Sequence, residues 1–450
     1  MKDEAPEVRV NDADSALPPE LRQFFERGGS SLLIKGAAGT GKTTLALTLV
    51  RALDFSGNFL YVSTRESPVQ FIRDHAWIAE RFGGHGEKQS ATEGESENPG
   101  GFVDARLDEP TQLLEKITSH LMDVQSPLVI IDTWDAMLDF AENRALRADA
   151  RVLQAWAERA GARLVFTMEA TQSTVLDGLV EGVLILRQRN ISSQRLREML
   201  ISKLYGVRIE DPSYFFTLNN AEFRSFRHFR LADLVVSAEA QPAAFSRRAA
   251  LDPEDHFPIG YPELDQVLGG GLDVGSVLNI EIDPEVNMAI PLLVIRRIIA
   301  SFALSGNQVR LFPFRGFGQD MVARLLRVFV PRSHIKNVSQ LDSLEDGMND
   351  EARPRSPVLC VLDSRGVGER GLRYFSSLAR SSKGATIFVG RHSRGDGLFR
   401  SISGIGGSSM RIRYLNGTMF LQSKVPASQP FGLSVNKRSG IPEVELDPVV

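Results

Sequence analysis

Residues Gly36-Ala37-Ala38-Gly39-Thr40-Gly41-Lys42-Thr43 place glycines, a lysine and a hydroxyl at the spacing G-x-x-x-x-G-K-[ST]. That order suits the grip on a nucleoside triphosphate. Glycines let the backbone curl until successive N–H groups face phosphate oxygens. The helix that follows adds the positive end of its dipole. Lys42 is expected to reach the β- and γ-phosphates, and the Thr43 hydroxyl to ligate Mg²⁺. Thr44 is counted with the phosphate-binding set.

Such a loop needs a second acid to organise the metal. Asp132 ends the apolar run Leu128-Val129-Ile130-Ile131, and ligands bind at strand C-termini in sheets of this kind. A helix-capping aspartate is the competing reading. Hydrolysis also needs a group that orients or deprotonates water. Glu66, just past the run Asn58–Ser63, is the main candidate. The competing role is a cap on a helix after Pro68. Glu169, past Leu164–Thr167, is either a polar sensor of the γ-phosphate or a solvated loop acid.

These residues must be carried by alternating strands and helices. Ser31–Lys35 reads as a buried strand before the loop, and Thr44–Leu53 as a helix after it. Asn58–Ser63, Leu128–Asp132 and Arg163–Thr167 read as further strands, with helices expected over 70–81, 111–122 and 145–160. Residues 83–101, rich in Gly, Ser and Glu, read as a surface loop. Later strands are expected at 182–187, 197–203 and 213–218. Apolar strands alternating with helices imply a mostly parallel sheet with helices on both faces.

A second copy of this plan is expected. Residues 1–235 form the nucleotide-binding domain, 236–254 a linker, 255–425 a second domain and 426–450 an extended tail. Strand Ser276–Ile282 leads into Asp283–Pro291, which has no glycine or lysine and carries two acids. Val358–Asp363 is the counterpart of Leu128–Asp132. The fold is thus α/β, with two tandem domains and a degenerate second copy that has lost nucleotide chemistry.

Composition narrows the function classes. A formal net charge of −4 over 450 residues argues against a protein that binds polyanions as a whole. No apolar run is long enough to span a bilayer. The start, MKDEAPEVRVNDADS, lacks a signal-peptide core. One cysteine, Cys360, excludes an intrachain disulfide and reads as a core thiol. A cytoplasmic protein is expected, with a nucleoside triphosphate bound at the loop and no metal other than Mg²⁺.

The segments GAAGTGKTTLAL, YVSTRES, LVIIDT and LREMLISKLYG resemble the RecA-like ATPases of the KaiC group. GYPELDQVLGGGL resembles the opening of the same domain type. Within that group the chain looks most similar to the GvpD family of archaeal gas vesicle regulatory proteins. The resemblance implies RecA-type cores, ATP as the nucleotide, and a regulatory protein partner, with a transcription regulator and a homo-oligomer among the candidates. Two departures matter. Relatives carry two adjacent acids where this chain has Arg65-Glu66, so slow turnover is expected. Their trans-acting Lys-x-Arg pair is reduced to Lys203, which is left to reach a neighbour's γ-phosphate.

Phe223–Arg230 interleaves arginine and phenylalanine, as base-stacking segments do. Its three-residue spacing fits an edge strand with phenylalanines inward. Arg187, Gln188, Arg189, Arg195 and Arg197 fall around a strand-to-strand turn. The leading expectation is an ATP-binding regulatory switch with weak ATPase activity. The alternatives are a recombinase paralogue that binds single-stranded DNA and a scaffold that never turns ATP over.

Overall fold

The computed structural model describes residues 16–450 apart from 56–57, 68–69, 72, 74–100, 107, 109, 122–123, 125, 139–142, 192–193, 238–254, 315–329, 331–332, 349–355, 366, 393–406 and 439. Most of the expected helix at 70–81, the glycine-rich loop, nearly all of the linker and the extreme N-terminus lie outside the described residues. The chain divides into a front unit that ends at Phe226 and a rear unit over Arg227–Val449.

In the front unit, helix α1 (Pro19–Glu26) precedes strand β1 (Ser31–Gly36), and α2 (Lys42–Ala52) follows the glycine loop. The sheet continues with β2 (Phe59–Ser63), β3 (Phe102–Asp104), β4 (Leu128–Asp132) and β5 (Arg163–Met168). Helices α3 (Pro110–His120), α4 (Asp135–Leu138) and α5 (Asn143–Ala160) lie between them in sequence. Strands β6 (Gly182–Ile191), β7 (Gln194–Leu204), β8 (Ser213–Thr217) and β9 (Arg224–Ser225) complete a nine-stranded sheet of order β3-β2-β4-β5-β1-β6-β7-β8-β9. The strands from β3 to β6 pair in parallel, and β7 to β9 add antiparallel neighbours.

Strand alternation sorts the core into two layers. Leu32 and Ile34 pack with Leu21, Phe24, Leu45 and Leu49 from α1 and α2. Leu33, Val129, Ile131 and Phe166 pack on the other face with Ile117 and Leu153 from α3 and α5. Both faces of the parallel strands are therefore buried, as the continuous apolar runs require. Within β1, Lys35 is buried as well. Its ammonium donates to Asp177 Oδ2 at 2.6 Å and to the Gln172 carbonyl at 2.9 Å. Burial pushes the Asp177 carboxyl up, but the bonds from Lys35 and Thr174 outweigh it and hold the group below its ordinary value.

The rear unit repeats the plan. Strands β10 (His256–Phe257) and β11 (Leu272–Asp273) form a small ribbon around helix α6 (Pro262–Val267). Then come β12 (Val277–Ile282), α7 (Ala289–Leu304), β13 (Gln308–Leu311), β14 (Val338–Gln340), α8 (Leu344–Met348), β15 (Val358–Asp363), α9 (Glu369–Ser382) and β16 (Ala385–Arg391). Four antiparallel strands close the chain: β17 (Ser408–Leu415), β18 (Thr418–Val425), β19 (Phe431–Arg438) and β20 (Ile441–Pro448). The sheet order is β14-β13-β15-β16-β12-β17-β18-β19-β20, which is the front order strand for strand. Each unit also carries, ahead of its first central strand, a helix that starts Pro-Glu-Leu, with Leu21 and Leu264 fully buried. Two tandem α/β domains with mostly parallel sheets are thus present. Cys360 lies in the rear core, its thiol pushed up to about 12 by burial.

Two boundaries differ from those expected. The rear unit begins at Arg227 rather than after residue 235, because Phe229, Leu234 and Val236 pack against the rear core. Residues 426–450 are not an extended tail. They supply strands β19 and β20, with Leu433, Val435, Ile441 and Val444 buried in the same core. Pro442 and Pro448 sit on β20, the last strand of the sheet, where an edge tolerates a missing donor. Within Phe223–Arg230 the edge strand is β9 alone, Arg224–Ser225, beside which Phe223 and Phe226 are buried and Phe223 stacks on Phe216 at 4.5 Å.

Among the described residues, no helix is long and apolar enough to cross a membrane.

Candidate functional site

The loop between β1 and α2 closes on itself. Thr40 Oγ1 donates to the Ala37 carbonyl at 2.8 Å. Gly41 sits at φ +100°, and a Cβ there would meet Leu218 at 2.8 Å. A Cβ on Gly36 would lie 2.5 Å from the Leu186 carbonyl. Only glycine therefore fits where the motif places it. The Leu45 amide takes the Gly41 carbonyl at 2.9 Å as its intrahelical partner. The amides of Lys42, Thr43 and Thr44 belong to the first turn and have no carbonyl within the helix to bond. This is the arrangement that receives phosphate at a helix start.

Lys42 is buried, with its ammonium folded across the loop to the Gly36 carbonyl at 2.8 Å and the Ala37 carbonyl at 3.1 Å. Burial pulls its pKa below the ordinary lysine value. Glu169, Asp132 and Asp135 act in the opposite direction.

Asp132 stands at the end of β4, two strands from the loop-bearing β1. Its Oδ2 accepts from Thr43 Oγ1 and from the Tyr61 hydroxyl, each at 2.6 Å. Its Oδ1 accepts from Thr167 Oγ1. The Tyr61 phenol is raised well above its ordinary pKa, first by burial and then by the Asp132 carboxylate, and so it stays a donor. A hydroxyl and a carboxylate in direct contact beside a phosphate loop form the oxygen donor set that Mg²⁺ takes. The residues present therefore fit a Mg²⁺-bound triphosphate. Lys42 and the first-turn amides would hold the phosphates, and Thr43 and Asp132 the metal. Mg²⁺ supplies charge neutralisation on the phosphates when it is bound.

The remaining expected residues fall in different places. Glu66 is exposed just beyond β2, and its backbone is clamped by Ser63, whose hydroxyl donates to the Glu66 carbonyl at 2.6 Å. Glu169 lies beyond β5, paired with Arg65 at 2.5 Å, while its amide donates to Asp135 Oδ2 at 2.7 Å. Lys203 is not brought to the loop. The pairings set it level with Val183 and Leu33, about 10 Å back along the sheet from Gly36. There its ammonium donates to the carbonyls of Val180 at 2.6 Å and Asp177 at 3.2 Å.

Tyr61, Thr167, Asp135 and Arg197 are site features the sequence did not single out for these roles. Arg197 Nη1 and Gln188 Nε2 both donate to the Gly39 carbonyl, at 2.8 and 3.2 Å. Only Thr167, near the end of an apolar strand run, carried a signal; Tyr61 and Arg197 lie inside β2 and β7 and Asp135 opens α4, so their roles come only with the fold.

The rear unit has the frame without the chemistry. Leu278 pairs Ile387 and Ser408 as Leu32 pairs Val165 and Gly182. Counting on from those registers, Met288, the N-cap of α7, falls at the count of Lys42 and Val286 at that of Thr40. Both are buried in the rear core. Asp363 matches Asp132, but Arg365 clamps it with Nη2 on Oδ2 at 2.9 Å and its amide on Oδ1 at 2.9 Å. Asp283, at the start of the altered loop, is bound by Arg411 at 2.8 Å. Arg391 donates to the Pro284 carbonyl, and His392 Nδ1 lies 3.3 Å from Glu281.

Residues 21–203 match the family model of the GvpD gas vesicle protein P-loop domain. The front unit contains a GvpD-type P-loop domain. Such a domain is a nucleotide-binding module, in keeping with the loop geometry above. Two relatives from Halobacterium salinarum are similar over longer stretches. Protein GvpD2 is 27% identical over 286 residues, covering 60% of this chain and 56% of its own. Protein GvpD1 is 26% identical over 289 residues, covering 60% and 51%. The match thus spans about half the length of these relatives. The GvpD-type domain match ends at residue 203, one residue before the end of β7.

Proposed function

We propose that this chain is an ATP-binding regulatory switch of the GvpD kind, with slow hydrolysis, that acts through a protein partner. The contact that carries this reading is Thr43 on Asp132 beside the Lys42 loop. In this reading ATP and Mg²⁺ occupy the front unit only. Lys42 and the loop amides hold the phosphates, and Thr43 and Asp132 hold the metal. Glu66 orients water from its exposed position past β2. Slow turnover fits the lone acid there, since Arg65 stands beside it. The similarity to gas vesicle proteins supports a role in regulating gas vesicle formation, with a transcription regulator as the partner class.

Titration calorimetry with ATP and Mg²⁺ tests the site. The wild-type chain should bind, and Lys42→Ala should lose binding by at least about a hundredfold, since one charged partner of a phosphate is removed. Unchanged affinity in that variant would sink the assignment. Phosphate release with and without single-stranded DNA separates the switch from a recombinase paralogue, for which turnover rises with DNA.

A further inference from the structure

Arg65 and Glu169 form an arch over the metal-site aspartate. Ser63, the last residue of β2, is level with Asp132, and Ile131 of β4 is level with Phe166 of β5. Arg65 and Glu169 stand just past the ends of β2 and β5, on either side of β4. With strands about 4.8 Å apart, their bridge spans the roughly 10 Å from β2 to β5, past the end of β4 that carries Asp132. The footing on the β5 side is fixed. Asp135 Oδ2 accepts the Glu169 amide, and the Thr133 hydroxyl donates to the same oxygen at 2.5 Å.

The Glu169 carboxylate feels two cations. Its hydrogen bond from Arg65 holds it below the usual carboxylate range against burial, and the charges of Arg65 and Lys42 add to that. Among charged groups, Glu169 in turn has the largest influence on Lys42. A chain-borne anion thus sits in the field of the very lysine that a terminal phosphate seeks. The bridge itself is weak, since the Arg65 side chain is 50% exposed and that of Glu169 33%. A guanidinium finds a stronger, two-pronged partner in phosphate than in a water-exposed carboxylate.

We infer that Glu169 holds the place of a terminal phosphate, and that Arg65 exchanges Glu169 for the γ-phosphate when a triphosphate is bound. Arg65 is then a ligand that distinguishes triphosphate from diphosphate within one chain. With ADP, Arg65 stays on Glu169. This rests on the nucleotide-binding reading of the front unit.

The test is calorimetry on the full chain, with Mg²⁺ and either ADP or a non-hydrolysable ATP analogue. Arg65→Ala should weaken the analogue about tenfold and move ADP by less than about twofold. Equal losses for both nucleotides, or no loss for either, would overturn the inference. A wild-type chain that binds neither nucleotide would overturn the site reading beneath it instead. A second comparison removes the effect of unmasking Glu169. In a Glu169→Gln background, Arg65→Ala should still cost the analogue about tenfold. If Glu169→Gln and the double variant bind the analogue equally, Arg65 only neutralises Glu169 and is no phosphate ligand.

Discussion

At the scale of single residues, the site is a contest between burial and charge. Lys42 shows it best. Burial lowers its pKa below 10.5, and the acids around it restore only part of the loss. The folded chain therefore releases that proton earlier than the unfolded chain does. Two opposite slopes follow in the window between the lowered value and 10.5. The Lys42 contribution to stability rises with pH, because the unfolded state binds more protons there. Nucleotide affinity falls over the same window, because the cation is lost. Calorimetry across alkaline pH, with thermal unfolding in parallel, should show affinity dropping before an ordinary lysine would titrate. Lys42, Thr43 and Asp132 were legible in the sequence because each sits at a spacing the chemistry dictates. Tyr61, Thr167 and Arg65 were not. Their roles depend on which residues lie level across three strands, and periodicity along one strand is silent on that.

At the scale of elements, apolar runs announced every parallel strand of the front unit but the three-residue β3, since a strand buried on both faces has little room for polar residues, and in the rear unit they announced β12 and β15. Lys35 is the exception inside β1, tolerated because Asp177 reaches it. The C-terminal strands were hidden by proline. Phe431, Leu433 and Val435 alternate as a half-buried strand should, yet Pro430, Pro442 and Pro448 suggest a coil. The sheet edge resolves the conflict. If β19 is integral to the rear core, Leu433→Ala should cost about 2–5 kcal/mol, the usual range for a fully buried leucine. Chemical denaturation would show it as a lower midpoint at unchanged slope. A peripheral strand would leave the midpoint where it was.

At the scale of the whole chain, duplication was legible and its extent was not. Asp283–Pro291 plainly lacked a phosphate loop. The strand-for-strand identity of the two sheets emerged only from pairing. In the rear unit the acids at the corresponding positions are already paired, Asp363 with Arg365 and Asp283 with Arg411. A saturating titration should therefore count a single nucleotide per chain, and two would contradict that reading. The paired registers have one more consequence. The architecture stands in duplicate while the phosphate-loop residues stand in one copy, so the molecule carries its own blank. A protease cut or an amide-exchange rate that answers ATP in the first lobe can be read against the matching position in the second. The difference is what the triphosphate does, cleared of what the scaffold does anyway.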